Sequence, residues 1–191
     1  MTSIIRGRAE RLATFRSISV QLMEMLARWV PTTPEMEPKV LFGRHIWDFA
    51  QHADMLGKRT LELRAPLHYT LPPAEDYQAL LTEVSAATAT AERIALLYAG
   101  FLPGLRARYA NYLETADPVL DEPSMRIIGR ISADIARMLE ESRELTTEFS
   151  QFRCADSQRV LDFLDREGKV SNIAAFHGNG PLAASGAGAR E

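Results

Sequence analysis

The chain has 191 residues, of which 46% are hydrophobic and 25% charged, and this is enough for one domain with a sizeable core. Its 22 basic and 25 acidic residues give a formal net charge of -3, so neither a nucleic acid nor an anionic membrane is indicated as a partner. The single cysteine, Cys154, excludes an internal disulfide and a cysteine-based metal site.

The sequence carries no sign of export. The first ten residues include Arg6, Arg8 and Glu10 and contain no apolar run, so we expect no signal peptide there. No stretch approaches the roughly 18 uninterrupted apolar residues of a membrane helix. Together with the lack of disulfides, this predicts a soluble protein of the cytoplasm.

The first two predicted elements are long helices bounded by prolines. Apolar residues recur at three- and four-residue spacings along the chain and rarely alternate, which is typical of helices and not of strands. Helix 1 is expected over about residues 2–30, where Pro31 and Pro34 stop it. Helix 2 is expected over about residues 38–64, before Pro66.

Two further long helices are predicted in the second half. Helix 3 is expected to run from about residue 74 towards residue 101, and Pro103 and Gly104 should kink or break it. Helix 4 is expected to begin after Asp121, a residue suited to capping a helix, and to end near residue 152.

A short fifth helix completes the predicted domain. It is expected over about residues 156–167, with Gly168 as its C-cap. Residues 1–168 would then form one helical bundle domain, and residues 169–191 a flexible tail. Four long helices in sequence order make an antiparallel, up-and-down four-helix bundle the simplest arrangement.

Helix 2 carries three residues with metal-binding chemistry on its apolar face. His45, Asp48 and His52 lie within an arc of roughly 60° on a helical projection. Two imidazoles and a carboxylate form a competent set of metal ligands. The alternative is a buried polar network in which each histidine bonds a backbone carbonyl or a facing residue such as Tyr98.

Helix 4 adds a carboxylate, Asp134, which we place in the middle of the apolar stripe. The stripe consists of Ile127, Ile131, Met138 and Leu145. A carboxylate in such a stripe must be paired, ligated or protonated. A metal ligand is therefore one interpretation of Asp134, and pairing with Arg130, Arg137 or Arg44 is the other. Glu24 is expected to face solvent, and Glu92 to lie beside the stripe of helix 3.

Two segments resemble the ferritin-like superfamily. They are His45-Ile-Trp-Asp48-Phe-Ala-Gln-His52-Ala-Asp and Asp117-Pro-Val-Leu-Asp-Glu-Pro-Ser-Met-Arg-Ile-Ile-Gly-Arg-Ile-Ser-Ala-Asp134. As a pattern of helices, the resemblance covers roughly residues 10–150. It implies a ferritin-like four-helix bundle with a dimetal-carboxylate centre, in which each of two helices carries a Glu-x-x-His pair.

The motif is incomplete in this chain. Arg137 stands three residues after Asp134, where the pattern has histidine, and Asp48 and His52 are four residues apart instead of three. The resemblance therefore implies a degenerate or mononuclear site. Its metal ligands would be His45, Asp48, His52 and Asp134, and its metal would be iron or manganese.

Two functions follow from these observations. The first is a metal-dependent oxidoreductase that oxidises a small organic substrate in an apolar pocket. The second is a non-catalytic bundle that has lost its metal and serves as a binding or assembly subunit, in which case no cofactor is expected. A guanidinium of Arg137 or Arg44 among the predicted ligands would favour the second function. A homodimer formed through helix 1 or the tail is compatible with either.

Overall fold

The computed structural model describes residues 2–151, 157–170 and 173, and over these residues the chain is all-helical. In chain order the helices are α1 (Thr2–Trp29), α2 (Met36–Glu62), α3 (Glu75–Ser85), α4, α5 (Glu122–Glu141), α6 (Arg143–Gln151) and α7 (Ser157–Lys169). Helix α4 has three consecutive stretches, which are Thr90–Ile94, a π-helical stretch over Ala95–Phe101, and Leu102–Thr115. A 3-10 turn over Val30–Thr32 follows α1. The predicted all-α class is confirmed.

The predicted third helix is interrupted. Helix α3 ends at Ser85, and α4 begins only at Thr90. Ala89 has an extended backbone, and the buried carboxylate of Glu92 accepts a hydrogen bond from the N–H of Thr88. Such a bond satisfies an N–H at the start of a helix, so these residues start a new helix and do not continue the old one.

Pro103 does not break α4. The helix runs on to Thr115, and the π-helical stretch ends at Phe101, two residues before the proline. A proline in a helix lacks an N–H donor and crowds the carbonyl four residues earlier. The wider π-helical turn accommodates this defect locally, so the helix changes its hydrogen-bond register instead of ending.

The predicted fourth helix is also divided. Helix α5 ends at Glu141, and Ser142, whose hydroxyl bonds the carbonyl of Leu139, separates it from α6. Asp121 does not cap α5 with its side chain, because its carboxylate accepts a hydrogen bond of 2.6 Å from the hydroxyl of Tyr112. At the other end of the domain, Gly168 lies inside α7 and not after it.

Helices α1 and α2 are antiparallel neighbours. The ring of Trp29, at the end of α1, lies 5.5 Å from that of Phe42, near the start of α2. At the opposite end, the side chain of Arg16 lies against Gly57. Helices α1 and α4 are related in the same way, because Phe15 contacts Tyr109 and Trp29 contacts Arg93.

Helices α2 and α5 are also antiparallel. His45 bonds Glu141 near the end of α5, and Arg59 bonds Ser124 near its start. Helices α2 and α4 are both antiparallel to α1, so they run in the same direction. The connection from α2 to α4, residues 63–89, therefore spans the length of the helices and includes α3. This differs from the expected up-and-down order, in which consecutive long helices alternate in direction.

Part of the predicted tail contacts the helices. The carbonyl of Val170 accepts a hydrogen bond from Arg108, and the carbonyl of Ile173 accepts one from the N–H of Ala74. The other predicted tail residues after Val170, together with Cys154, lie outside the described residues. None of the helices in the described part of the chain is long and apolar enough to cross a membrane.

Candidate functional site

His45 is buried between α2, α4 and α5 with a partner on each ring nitrogen. Its Nδ1 lies 2.7 Å from the Tyr98 hydroxyl, and its Nε2 lies 3.1 Å from Oε2 of Glu141. An ionised carboxylate only accepts, so Nε2 carries the proton when the ring is neutral. Nδ1 then accepts a hydrogen bond from the tyrosine. Burial raises the pKa of Tyr98 well above its usual value, which keeps this hydroxyl protonated.

His52, two turns further along α2, has one partner. Its Nε2 lies 3.2 Å from Oδ2 of Asp134 on α5, and its ring packs edge-on against Phe49. Its Nδ1 is buried and has no hydrogen-bond partner among the described residues. The two histidines thus face two different carboxylates of α5, about two turns apart.

Arg137 joins the two histidine–carboxylate pairs. One of its terminal nitrogens lies 2.9 Å from Oδ1 of Asp48 on α2 and 3.6 Å from Oδ1 of Asp134. The other lies 2.9 Å from Oε1 of Glu141. The structure therefore brings the four predicted metal ligands, His45, Asp48, His52 and Asp134, into one network. At the junction of its three carboxylates it places a guanidinium and not an open space.

Burial and charge act on the network in opposite directions. Burial lowers the pKa of both His45 and His52, and the hydrogen bonds that the imidazoles donate to Glu141 and Asp134 offset this only in part. Burial opposes ionisation of Glu141, but hydrogen bonds from Arg137 and His45 lower the pKa of this carboxyl below its usual value. At neutral pH the network therefore contains two neutral imidazoles. Its one guanidinium, that of Arg137, faces three carboxyl groups.

The network lies at the solvent-exposed edge of the contact between α2 and α5, not in the centre of the hydrophobic core. Both imidazoles are fully buried, whereas the three carboxylates are partly exposed and the side chain of Arg137 is 44% exposed. The expected position of Asp134 in the middle of the α5 stripe is wrong. The residues that α5 buries are Ser124, Ile128, Ile131, Ile135 and Met138. Asp134 lies beside this stripe, on the side that faces α2.

Sequence reasoning missed Glu141, which closes the network. It follows Asp134 by seven residues and Arg137 by four, so the three side chains lie along one face of α5. From this spacing, Glu141 could have been predicted to lie beside Asp134 and Arg137. Glu24 is exposed, as predicted, and Glu92 is buried at the start of α4, where it bonds the N–H of Thr88.

The present arrangement does not fit a metal ion. Among the described residues, no three His, Cys, Asp or Glu side chains are grouped so that they could hold one. The contacts of Arg137 are a second obstacle, because its positive charge already neutralises the carboxylates that a cation would need. The imidazole Nε2 atoms of His45 and His52 are likewise engaged with carboxylates instead of converging on one point.

Comparison with known proteins adds no assignment, because the chain matches no family model and no curated protein or solved structure that was compared with it is detectably similar.

Proposed function

We propose that this chain is a ferritin-like antiparallel four-helix bundle that serves as a non-catalytic binding or assembly subunit. In this proposal the guanidinium of Arg137 takes the place of a metal ion. The observation that carries the proposal is the contact of Arg137 with Asp48, Asp134 and Glu141 beside two buried histidines.

The helix directions support the ferritin-like part of the proposal. Ferritin-like bundles differ from simple up-and-down bundles in one long crossover connection. Here α1 and α4 are antiparallel, α2 and α5 are antiparallel, and residues 63–89 cross over between α2 and α4. The four helices α1, α2, α4 and α5 would be the bundle, with α3 in the crossover and α7 as the additional C-terminal helix.

The electrostatics of the network support the non-catalytic part. A bound cation would have to displace Arg137 from its ion pairs with Asp48 and Glu141, each worth about 0.2–1 kcal/mol in a half-exposed position. If Arg137 stayed in place, its positive charge would repel the cation at close range. Both terms oppose metal binding in the native chain and would disappear if Arg137 were removed.

A second candidate is an iron- or manganese-dependent oxidoreductase acting on a small organic substrate. The observation that favours it is the concentration of two imidazoles and three carboxylates beside one partly exposed arginine. If Arg137 turned into solvent, His45, His52 and the carboxylates would remain as ligands of the type that iron and manganese accept. Such a metal, when bound, would supply the redox chemistry.

Metal content separates the two candidates. Protein purified without chelators, and protein loaded anaerobically with ferrous iron or manganese, is analysed for bound metal. We expect no stoichiometric metal in the native chain or in the control Arg130→Ala, which removes an exposed arginine of the same helix. Arg137→Ala is expected to bind more metal than the native chain, because its carboxylates lose their counter-charge, and Arg137→Ala/His52→Ala is expected to bind less than Arg137→Ala. Stoichiometric metal in the native chain, lost in His52→Ala, would establish the second candidate instead.

A further inference from the structure

The outward face of α2 carries an exposed apolar stripe. Met36, Val40 and Trp47 have 63%, 46% and 67% of their surface exposed. Gly43 lies between them, and a side chain added there would meet nothing within 4 Å. Beyond the stripe the same face carries Asp54 and Lys58, which form an ion pair of 2.6 Å.

The spacing makes these residues one continuous ridge. Steps of four, three and four residues keep side chains on one side of a helix, here over a length of about 16 Å. His45 and His52 are buried on the opposite side of the helix, against α4 and α5. The stripe therefore does not belong to the network described above.

The stripe is complementary to a second copy of itself. In an antiparallel pair of α2 helices, the two-fold axis passes one point along the helix. A residue before that point faces the residue of the second copy that lies equally far after it. Around a point between residues 41 and 42, Met36 faces Trp47 of the second copy. Around the same point Val40 faces Gly43, whose missing side chain leaves room for the valine. The thioether of a methionine also packs favourably on an aromatic ring.

The charges beside the stripe fit the same arrangement. Glu37 and Arg44 are both exposed, and neither forms an ion pair with another residue in the described part of the chain. Seven residues separate them, so they lie on the same side of the stripe. Around a point between residues 40 and 41, Glu37 faces Arg44 of the second copy, and the pair occurs twice by symmetry. The apolar pairs and the charged pair thus place the two-fold axis within one residue of each other along α2.

We propose that two copies of this chain associate through α2, packed antiparallel about a two-fold axis near residue 41. The proposal gives a partner to the assembly role proposed above, but it rests on the stripe and not on Arg137. The stripe is smaller than the roughly 800 Å² per partner of a standard interface, so a weak, concentration-dependent dimer is expected.

Sedimentation velocity of the full chain tests the proposal. From about 1 µM to about 1 mM, the native chain should pass from monomer to dimer. Trp47→Glu should remain a monomer over this range, whereas Leu161→Glu, which changes an exposed leucine of α7, should dimerise like the native chain. A native chain that stays monomeric throughout, or a dimer that Trp47→Glu leaves unchanged, would overturn the proposal.

A charge exchange tests the antiparallel geometry. Glu37→Arg and Arg44→Glu should each weaken the dimer several-fold, because each places two like charges opposite each other. The double variant should regain native affinity, since the pairs are restored with their signs reversed. A double variant weaker than either single variant would contradict the geometry.

Cross-linking provides a measurement that does not depend on Trp47. In a Cys154→Ser background, Val40→Cys should form a disulfide-linked dimer on mild oxidation, because the two Val40 positions lie close to the axis. Val119→Cys, at an exposed loop position, should not. Equal cross-linking of both would overturn the proposal. Metal content should be unchanged in Trp47→Glu, so a failure here is distinguishable from a failure of the proposed function.

Discussion

Two buried tyrosines of the core, Tyr98 and Tyr77, differ in whether the hydroxyl has a hydrogen-bond partner. The hydroxyl of Tyr98 donates to Nδ1 of His45 and so fixes the orientation of the ring that faces Glu141. The hydroxyl of Tyr77, which is equally buried, has no hydrogen-bond partner among the described residues. The two side chains therefore form a matched pair for measuring what one buried hydrogen bond contributes.

Tyr98→Phe is expected to reduce the free energy of unfolding by about 1–2 kcal/mol, because it leaves Nδ1 of His45 buried without a donor. Tyr77→Phe removes a hydroxyl that has no bond to lose and should be neutral or slightly stabilising. Urea unfolding at neutral pH measures both. Equal destabilisation by the two substitutions would contradict the hydrogen bond between Tyr98 and His45.

At the scale of elements, the contact between α4 and α7 depends on glycine. A side chain at Gly100 would place its first carbon 2.9 Å from the ring of Phe163, which is too close without movement of α7. Gly129 on α5 has no such neighbour, since nothing lies within 4 Å of the same position. Gly100 thus permits the close packing of α7 on α4, whereas Gly129 only adds conformational freedom to the unfolded chain.

Gly100→Ala is expected to destabilise the protein by about 1–3 kcal/mol, because the ring of Phe163 must shift within a packed core. Gly129→Ala should instead stabilise it by about 0.5–1 kcal/mol, since alanine favours the helical backbone. Thermal unfolding of the two variants against the native chain makes the comparison. If Gly100→Ala were as stable as Gly129→Ala, the close packing of α7 on α4 would be wrong.

The pH dependence of stability is a property of the whole molecule, to which the network contributes. Burial lowers the pKa of His45 and His52 in the folded state below the ordinary histidine value of about 6.5. Below that pH the unfolded chain binds protons that the folded chain does not, so stability falls as the pH decreases. The lowered pKa of Glu141 acts in the same direction at more acidic pH.

The urea midpoint should therefore be constant above about pH 7.5 and should decrease between about pH 6.5 and pH 5. In the variant His52→Phe, which removes one of the two buried imidazoles, the decrease should be smaller over the same interval. A native midpoint that does not change over this interval would show that the buried histidines are not held neutral.

The sequence predicted well what depends on neighbours a few residues away. The bounds of α1 and α2 were placed within about two residues, and the burial of His45 and His52 followed from the face on which they lie. Helical periodicity carries this information because residues three and four apart share a face. The breaks around residues 86–89 and at Ser142 were missed, since local hydrogen bonds there compete with an otherwise helical pattern.

Only the tertiary structure decided which side chains meet across helices. Asp48 and Arg137 are 89 residues apart, and His45 and Glu141 are 96 residues apart. No local pattern indicates such pairs, because they depend on the directions and rotations of α2 and α5. The sequence by itself thus determined an all-helical chain with two histidines on an apolar face. The packing of the helices decided that those histidines face carboxylates held by an arginine, because a side chain's electrostatic partners are set by distance in space.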